Sequence, residues 1–181
     1  REHSPKRPAS NARRGARGEG SEGHLTLAQV LATHSGGPDT GVFTDGSSIP
    51  NPGPGGWGVV WVEGGRVREQ RHGHAARTTN NRMELSALIE AYRLIPEDAA
   101  LPVYTDSRLC VDTITRWAPG WERKGWTKKG GEIKNLELVQ ELLFLERAHP
   151  ACSLTWIAAH SGNRWNEYAD SLASAWQRKE L

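Results

Sequence analysis

Residues 41–58 read GVFTDGSSIPNPGPGGWG. The first four alternate like a strand, and the run then meets Asp45, small residues, and a loop dense in Pro and Gly. An Asp before Gly is ordinarily a turn residue. Against that reading, the acid continues the axis of the strand instead of closing it.

Beyond this stretch the pattern stays legible. Strands are expected at 41–47, 56–62 and 66–74, with Gly64-Gly65 as a hairpin turn. A helix at about 81–95 is ended by Pro96. A short strand at 102–106 leads into a helix from Ser107 to Trp117. A helix at 135–148, a strand at 153–159 and a helix from about 164 to 179 complete the chain. Three meandering strands followed by alternating helices and strands predict a mixed sheet with helices packed on it, an α/β architecture.

The 181 residues suit one domain with a tail. Residues 1–38 are rich in Arg, Gly, Ser and Pro and cannot offset their ordering entropy. They read as a disordered basic tail or linker, with a short helix across Leu25, Leu27, Val30 and Leu31, and residues 39–181 as the folded domain. The tail holds six Lys/Arg against three Asp/Glu, leaving 17 basic and 18 acidic residues in the domain. A neutral domain behind a basic leader suggests weak attraction to a polyanion. No apolar run approaches a membrane span and no secretory pattern is present, so a cytoplasmic protein is expected. The Arg-rich leader would also suit the remains of an organelle address. Cys110 and Cys152, 42 residues apart, read as two reduced thiols near the core.

Three further acids stand at notable places, each with a plainer alternative. Glu84 lies one turn before Leu88 on the helical stripe of Leu88, Ala91 and Ile95. It also fits a capping box with Asn81. Asp106 ends a strand, where ligands gather in such sheets, or caps the next helix. Asp170 lies on the polar stripe Asn166, Asp170, Ala173 and Ser174, which periodicity alone leaves to solvent.

Taken together, FTDGSSIPNPGPGGWG (43–58), RTTNNRMEL (77–85), VYTDS (103–107), the Trp/Lys segment 116–134 and HSGNRWNEYADSLA (160–173) resemble type 1 ribonuclease H. The resemblance covers about residues 41 to 177. It implies an RNase H-like fold, a five-stranded mixed sheet flanked by helices, with a basic helical protrusion. It implies cleavage of the RNA strand of RNA–DNA hybrids, leaving 5′-phosphate and 3′-hydroxyl ends. Asp45, Glu84, Asp106 and Asp170 then converge as ligands of two Mg²⁺ ions, with Mn²⁺ as a substitute. Hard oxygen donors suit that ion, and a pair about 4 Å apart can both activate water and hold a leaving oxygen. By the resemblance Asp45 bridges both ions, Asp170 supports the water side, and Glu84 and Asp106 the leaving-group side. His160 matches a mobile histidine that assists proton transfer and product release.

The resemblance also assigns substrate contacts. Ser48, Asn51, Asn80 and Asn81 match positions that read the RNA strand, where the 2′-hydroxyl distinguishes RNA. Arg77, Thr79 and Asn135 match a pocket for a DNA phosphate. Segment 116–134 holds Trp117, Trp121 and Trp126 and six basic residues, including Lys128 and Lys129. It matches the family's basic protrusion on the DNA strand, while Trp126 reads as a core residue. Two departures stand out: Arg108 where a Gln often follows Asp-Ser, and Ala159 where a Gly often precedes the histidine. A monomer that binds RNA–DNA hybrid, with no membrane partner, is expected. The rival readings are a 3′–5′ exonuclease, a non-catalytic hybrid-binding module, and an RNase H domain of a larger reverse-transcriptase-like polyprotein. The exonuclease would place two acids on the first strand and the dead module would lack a carboxylate.

Overall fold

The computed structural model describes residues 24–181. In chain order the elements are α1 (Leu27–Thr33), β1 (Gly41–Ser48), β2 (Gly53–Glu63), β3 (Arg66–Thr78), α2 (Asn80–Leu94), β4 (Val103–Thr105), α3 (Arg108–Asp112), α4 (Ala118–Arg123), α5 (Leu136–Ala148), β5 (Leu154–Trp156) and α6 (Arg164–Ala173). The strands form one five-stranded sheet in the order β3-β2-β1-β4-β5. β1 pairs antiparallel with β2 and parallel with β4, so the sheet is mixed, as expected.

β1 sits at the centre and is covered on both faces. Alternation along a strand sends successive side chains to opposite faces. Val42 accordingly joins one core cluster with Leu85, Leu88, Tyr92 and Leu142 from α2 and α5. Phe43 joins a second with Trp165, Tyr168 and Leu172 of α6. Asp45 shares the face of Phe43, and Gly46 that of Val42. A Cβ on Gly46 would run into the backbone of Met83 and Glu84. A Cβ on Gly58 would meet Ala169 and Leu172. Glycine at these two places lets α2 and α6 settle directly onto the strands, which brings their acids beside β1.

The structure differs from the sequence reading in particular elements. The folded part begins ahead of residue 39: α1 packs on α6 and buries Val30 at 1% exposure. One apolar side chain, a capping box between Thr26 and Gln29, and hydrogen bonds from α6 order a stretch whose composition argued for disorder. The rest of the predicted tail, 1–23, lies outside the described residues. The helix begun at α3 does not stop at Trp117 but passes through wide, π-type turns (Thr113–Trp117) into α4. Pro119, near the start of α4, has no N–H to carry the ladder on from the π-type turns. The last helix ends at Ala173, followed by a single 3₁₀ turn. Cys110 and Cys152 are free, buried thiols. Among the described residues no helix is long and apolar enough to cross a membrane.

Candidate active site

Asp45 lies inside β1, paired with Gly58 of β2, and is only 7% exposed. Glu84 comes from the second turn of α2. That helix is capped by Thr79, whose hydroxyl accepts from the Arg82 amide at 3.1 Å, so the capping box between Asn81 and Glu84 does not form. Glu84 Oε2 is buried without a hydrogen-bond partner among the described residues. Asp106 follows β4 directly. Ser107, not Asp106, caps α3, its hydroxyl accepting from the Cys110 amide at 3.1 Å. Both acids are thereby free of the structural duties that would have explained them.

Carboxylate oxygens of Asp45, Glu84 and Asp106 all lie within 4.8 Å of one another. Asp170 on α6 neighbours Asp45 and lines the same cleft, a cavity of about 720 Å³. Its stripe is not solvated: Asn166 and Ser174 are buried against the sheet, and Asn166 reaches Asp106 Oδ2 at 3.4 Å. Burial pushes the Asp45 carboxyl well above the usual range, and the charges of Glu84, Asp106 and Asp170 push it further. Burial likewise raises Glu84, helped by Asp106. Asp106 is raised by burial and by Asp170, against the hydrogen bond from Asn166. Like charges gathered in a half-dry pocket resist ionisation together, and an all-oxygen donor set with one carboxylate oxygen left orphaned fits a hard divalent cation.

His160 stands on the loop before α6 in a left-handed conformation (φ 50°), its side chain 77% exposed. Its Nδ1 is 3.3 Å from Glu167 Oε1, and it lines the cleft beside Asp170. The polar residues expected on the RNA side form a connected set. The Ser48 amide donates to Asn80 Oδ1 (2.8 Å), while the Ser48 hydroxyl and the Asn80 amide both donate to Asn51 Oδ1 (3.1 Å each). Asn81 Oδ1 accepts a long contact from the Cys110 thiol, 3.7 Å.

A second groove of about 800 Å³ continues from Glu84 and Asp106 past Asn80 and Asn81 to Thr79, Lys134 and Asn135. Of the predicted phosphate pocket, Thr79 and Asn135 line this groove, whereas Arg77 is exposed at the end of β3 and does not. Farther on, Trp117 and Trp121 stand 6.3 Å apart with Lys128 nearby. Trp117 is 43% exposed, whereas Trp121 and Trp126 pack partly against the core. Lys128 and Lys129 are exposed.

Three contacts escape sequence reasoning. Arg82 donates to Asn135 Oδ1 at 3.1 Å and Glu137 Oε1 at 2.7 Å, tying the end of the basic segment to α2. Its only signal was a charge inside RTTNNRMEL. The Arg108 guanidinium lies 3.7 Å above the Trp156 ring, and Trp156 Nε1 donates to the Asp106 carbonyl. His24 reaches Asp170 from the leader, with Nδ1 3.4 Å from Oδ2, and no sequence signal pointed to it.

The family profile described as RNase H matches residues 38–177. The ribonuclease H of Agrobacterium fabrum (strain C58) is 44% identical over 133 residues, 73% of this chain and 90% of that protein. The ribonuclease H of Methylorubrum extorquens (strain PA1) is 41% identical over 140 residues, 77% of this chain but 60% of that longer protein. Among solved structures, LC9-RNase H1, described as a type 1 RNase H with the type 2 active-site motif, superposes with a TM-score of 0.63. It is 35% identical, with 78% of this chain and 74% of that chain covered. LC11-RNase H1 in complex with RNA/DNA hybrid gives 0.54 at 25% identity, covering 74% and 92%. With a five-stranded mixed sheet and acids converging from four separate elements, this chain belongs to the RNase H family.

Proposed function

We propose that this protein hydrolyses the RNA strand of RNA–DNA hybrids endonucleolytically, leaving 5′-phosphate and 3′-hydroxyl ends. The observation that carries the reading is the gathering of Asp45, Glu84 and Asp106 within 4.8 Å at the floor of an open polar groove, with Asp170 beside them. These four would hold divalent ions, Mg²⁺ in the first place and Mn²⁺ as a substitute; when bound, such ions make a nucleophile available near neutral pH and stabilise the departing oxygen.

The chain's own groups do the rest. The Ser48–Asn51–Asn80 set fixes the orientation of side chains that can donate to and accept from a 2′-hydroxyl. Asn81 extends that surface toward Glu84. Thr79 and Asn135, braced by Arg82, offer polar groups to a phosphate of the DNA strand, with Arg77 as a more distant charge. Trp117 and Trp121 present ring faces, and Lys128 and Lys129 neutralise phosphates beyond them. His160, on its exposed loop, receives or delivers protons at the rim and assists product release. All these groups come from one chain, in keeping with a monomer.

The test is cleavage of end-labelled substrates. RNA paired with DNA is cut in Mg²⁺ and spared in EDTA, while single-stranded RNA, double-stranded RNA and duplex DNA stay intact. Equal cutting of single-stranded RNA, or undiminished cutting in EDTA, would sink the reading.

A further inference from the structure

Residues 24–37 are fastened along α6 at both of its ends. At the start of the helix, Arg164 donates through Nε to the His34 carbonyl (2.5 Å) and through Nη2 to the Leu31 carbonyl (3.3 Å). The Arg164 amide donates to the Gly36 carbonyl at 2.9 Å. Gly36 must be glycine for this approach, since a Cβ there would stand 2.9 Å from the Gly162 carbonyl. Val30 is buried midway, against Trp165, Tyr168 and Leu172. Toward the end of the helix, the Ser171 hydroxyl donates to the Leu25 carbonyl at 2.6 Å. The strap therefore runs antiparallel to α6, and its last fixed step sets His24 against Asp170, Nδ1 to Oδ2, at 3.4 Å.

That placement answers a physical need. Asp170 faces the charges of Asp45 and Asp106, which favour swinging its carboxylate out to solvent. The other basic groups close by are engaged elsewhere. Arg178 donates to the Ser171 carbonyl and to the Ser174 hydroxyl, and His160 Nδ1 turns to Glu167. Apart from its acidic neighbour, His24 is the hydrogen-bond partner of the Asp170 carboxylate among the described residues. Ligating carboxylates are commonly held by such outer partners, whose loss weakens metal affinity.

We propose that His24 is a positioning residue for the candidate metal site, holding one oxygen of Asp170 so that the carboxylate stays turned toward Asp45. The strap is thus a working part of the site. This rests on the reading of Asp170 as a metal ligand.

The experiment titrates the full chain with Mn²⁺ alone by calorimetry, and separately measures kcat and KM on hybrid at limiting and at saturating metal. His24→Ala weakens Mn²⁺ binding about tenfold and lowers kcat where metal is limiting, with the melting temperature near that of the parent. His24→Asn, which keeps a donor at a similar place, recovers most of the affinity. Arg164→Ala loosens the strap and shifts affinity the same way, but adds nothing in the His24→Ala background. Unchanged or tighter Mn²⁺ binding in His24→Ala overturns the proposal; tighter binding would mean that the ring obstructs the cation. Asp170→Asn separates the two ideas, because Mn²⁺ binding indifferent to it removes the underlying assignment instead.

Discussion

The carboxylate floor and the basic segment 116–134 hold their functional groups in opposite ways. Asp45, Glu84, Asp106 and Asp170 stand on or directly beside sheet strands and the helices that settle on them, among residues close to fully buried. The basic segment carries Lys128 and Lys129 on exposed backbone, with Gly125, Trp126, Gly130 and Gly131 all at positive φ. Placement of a reacting phosphate tolerates little error, so its acids are built on rigid elements. Grip on a polyanion is shared over many charges and tolerates a looser support.

The most severe way to break this contrast is Asp45→Asn. Cleavage falls to background in a hybrid assay while hybrid binding measured by fluorescence anisotropy persists, because binding does not depend on one acid. Wild-type turnover in that variant would remove Asp45 from the mechanism. Gly46→Ala strikes the support instead of the acid. The added methyl meets the backbone of α2, and such overpacking costs about 1–3 kcal/mol in denaturant unfolding. Cleavage should fall with it, since Glu84 is displaced; an alanine tolerated without loss would show that α2 is not pinned there.

At the other region the effects are smaller and confined to binding. Trp117→Ala weakens hybrid affinity by about 1–3 kcal/mol if a nucleotide rests on its ring, with little change in salt slope. Trp117 is the cleaner probe than Trp121, whose ring also packs on the core. Replacing Lys128 and Lys129 by Ala flattens the salt dependence of log K by about one unit per lost phosphate contact, and spares kcat at saturating hybrid. An unaltered slope would place the DNA strand elsewhere.

The subtlest effect is a pH signature of the floor. The folded pKa values of Asp45, Glu84 and Asp106 lie above their unfolded ones. Between those values the native state holds more protons than the unfolded state, so stability falls as pH rises through the interval. In EDTA, Asp45→Asn therefore gains melting temperature over the parent, more at pH 8 than at pH 5. Equal gains at both would mean that Asp45 ionises without strain.

Much of the architecture was legible because hydrophobic period and turn residues acted locally. The Gly64-Gly65 hairpin, the strands around it and the stop at Pro96 follow from neighbours in sequence. What escaped depends on tertiary partners. Burial of the polar face of α6 is set by Gly56 and Gly58 on β2, more than a hundred residues away, and no periodicity within the helix reveals it. The short helix around Leu27, Val30 and Leu31 was legible from its apolar spacing, but its docking was not, because that needs α6 to receive Val30. The acids were legible as a set only through their motifs, since each had a plainer reading alone, and only the structure shows Thr79 and Ser107 taking the caps that would have explained Glu84 and Asp106.

The central position of β1 has a kinetic consequence. Asp45 meets Asp106 only after β1 has paired with β4, some sixty residues along the chain, and Asp170 only after α6 has docked on β2. These contacts close long loops and complete late in assembly. An ion that needs all four carboxylates finds no site in a transition state that precedes those closures. Bound metal should therefore leave the refolding rate almost untouched and lengthen the lifetime of the native state, its whole contribution appearing in the unfolding limb of a chevron.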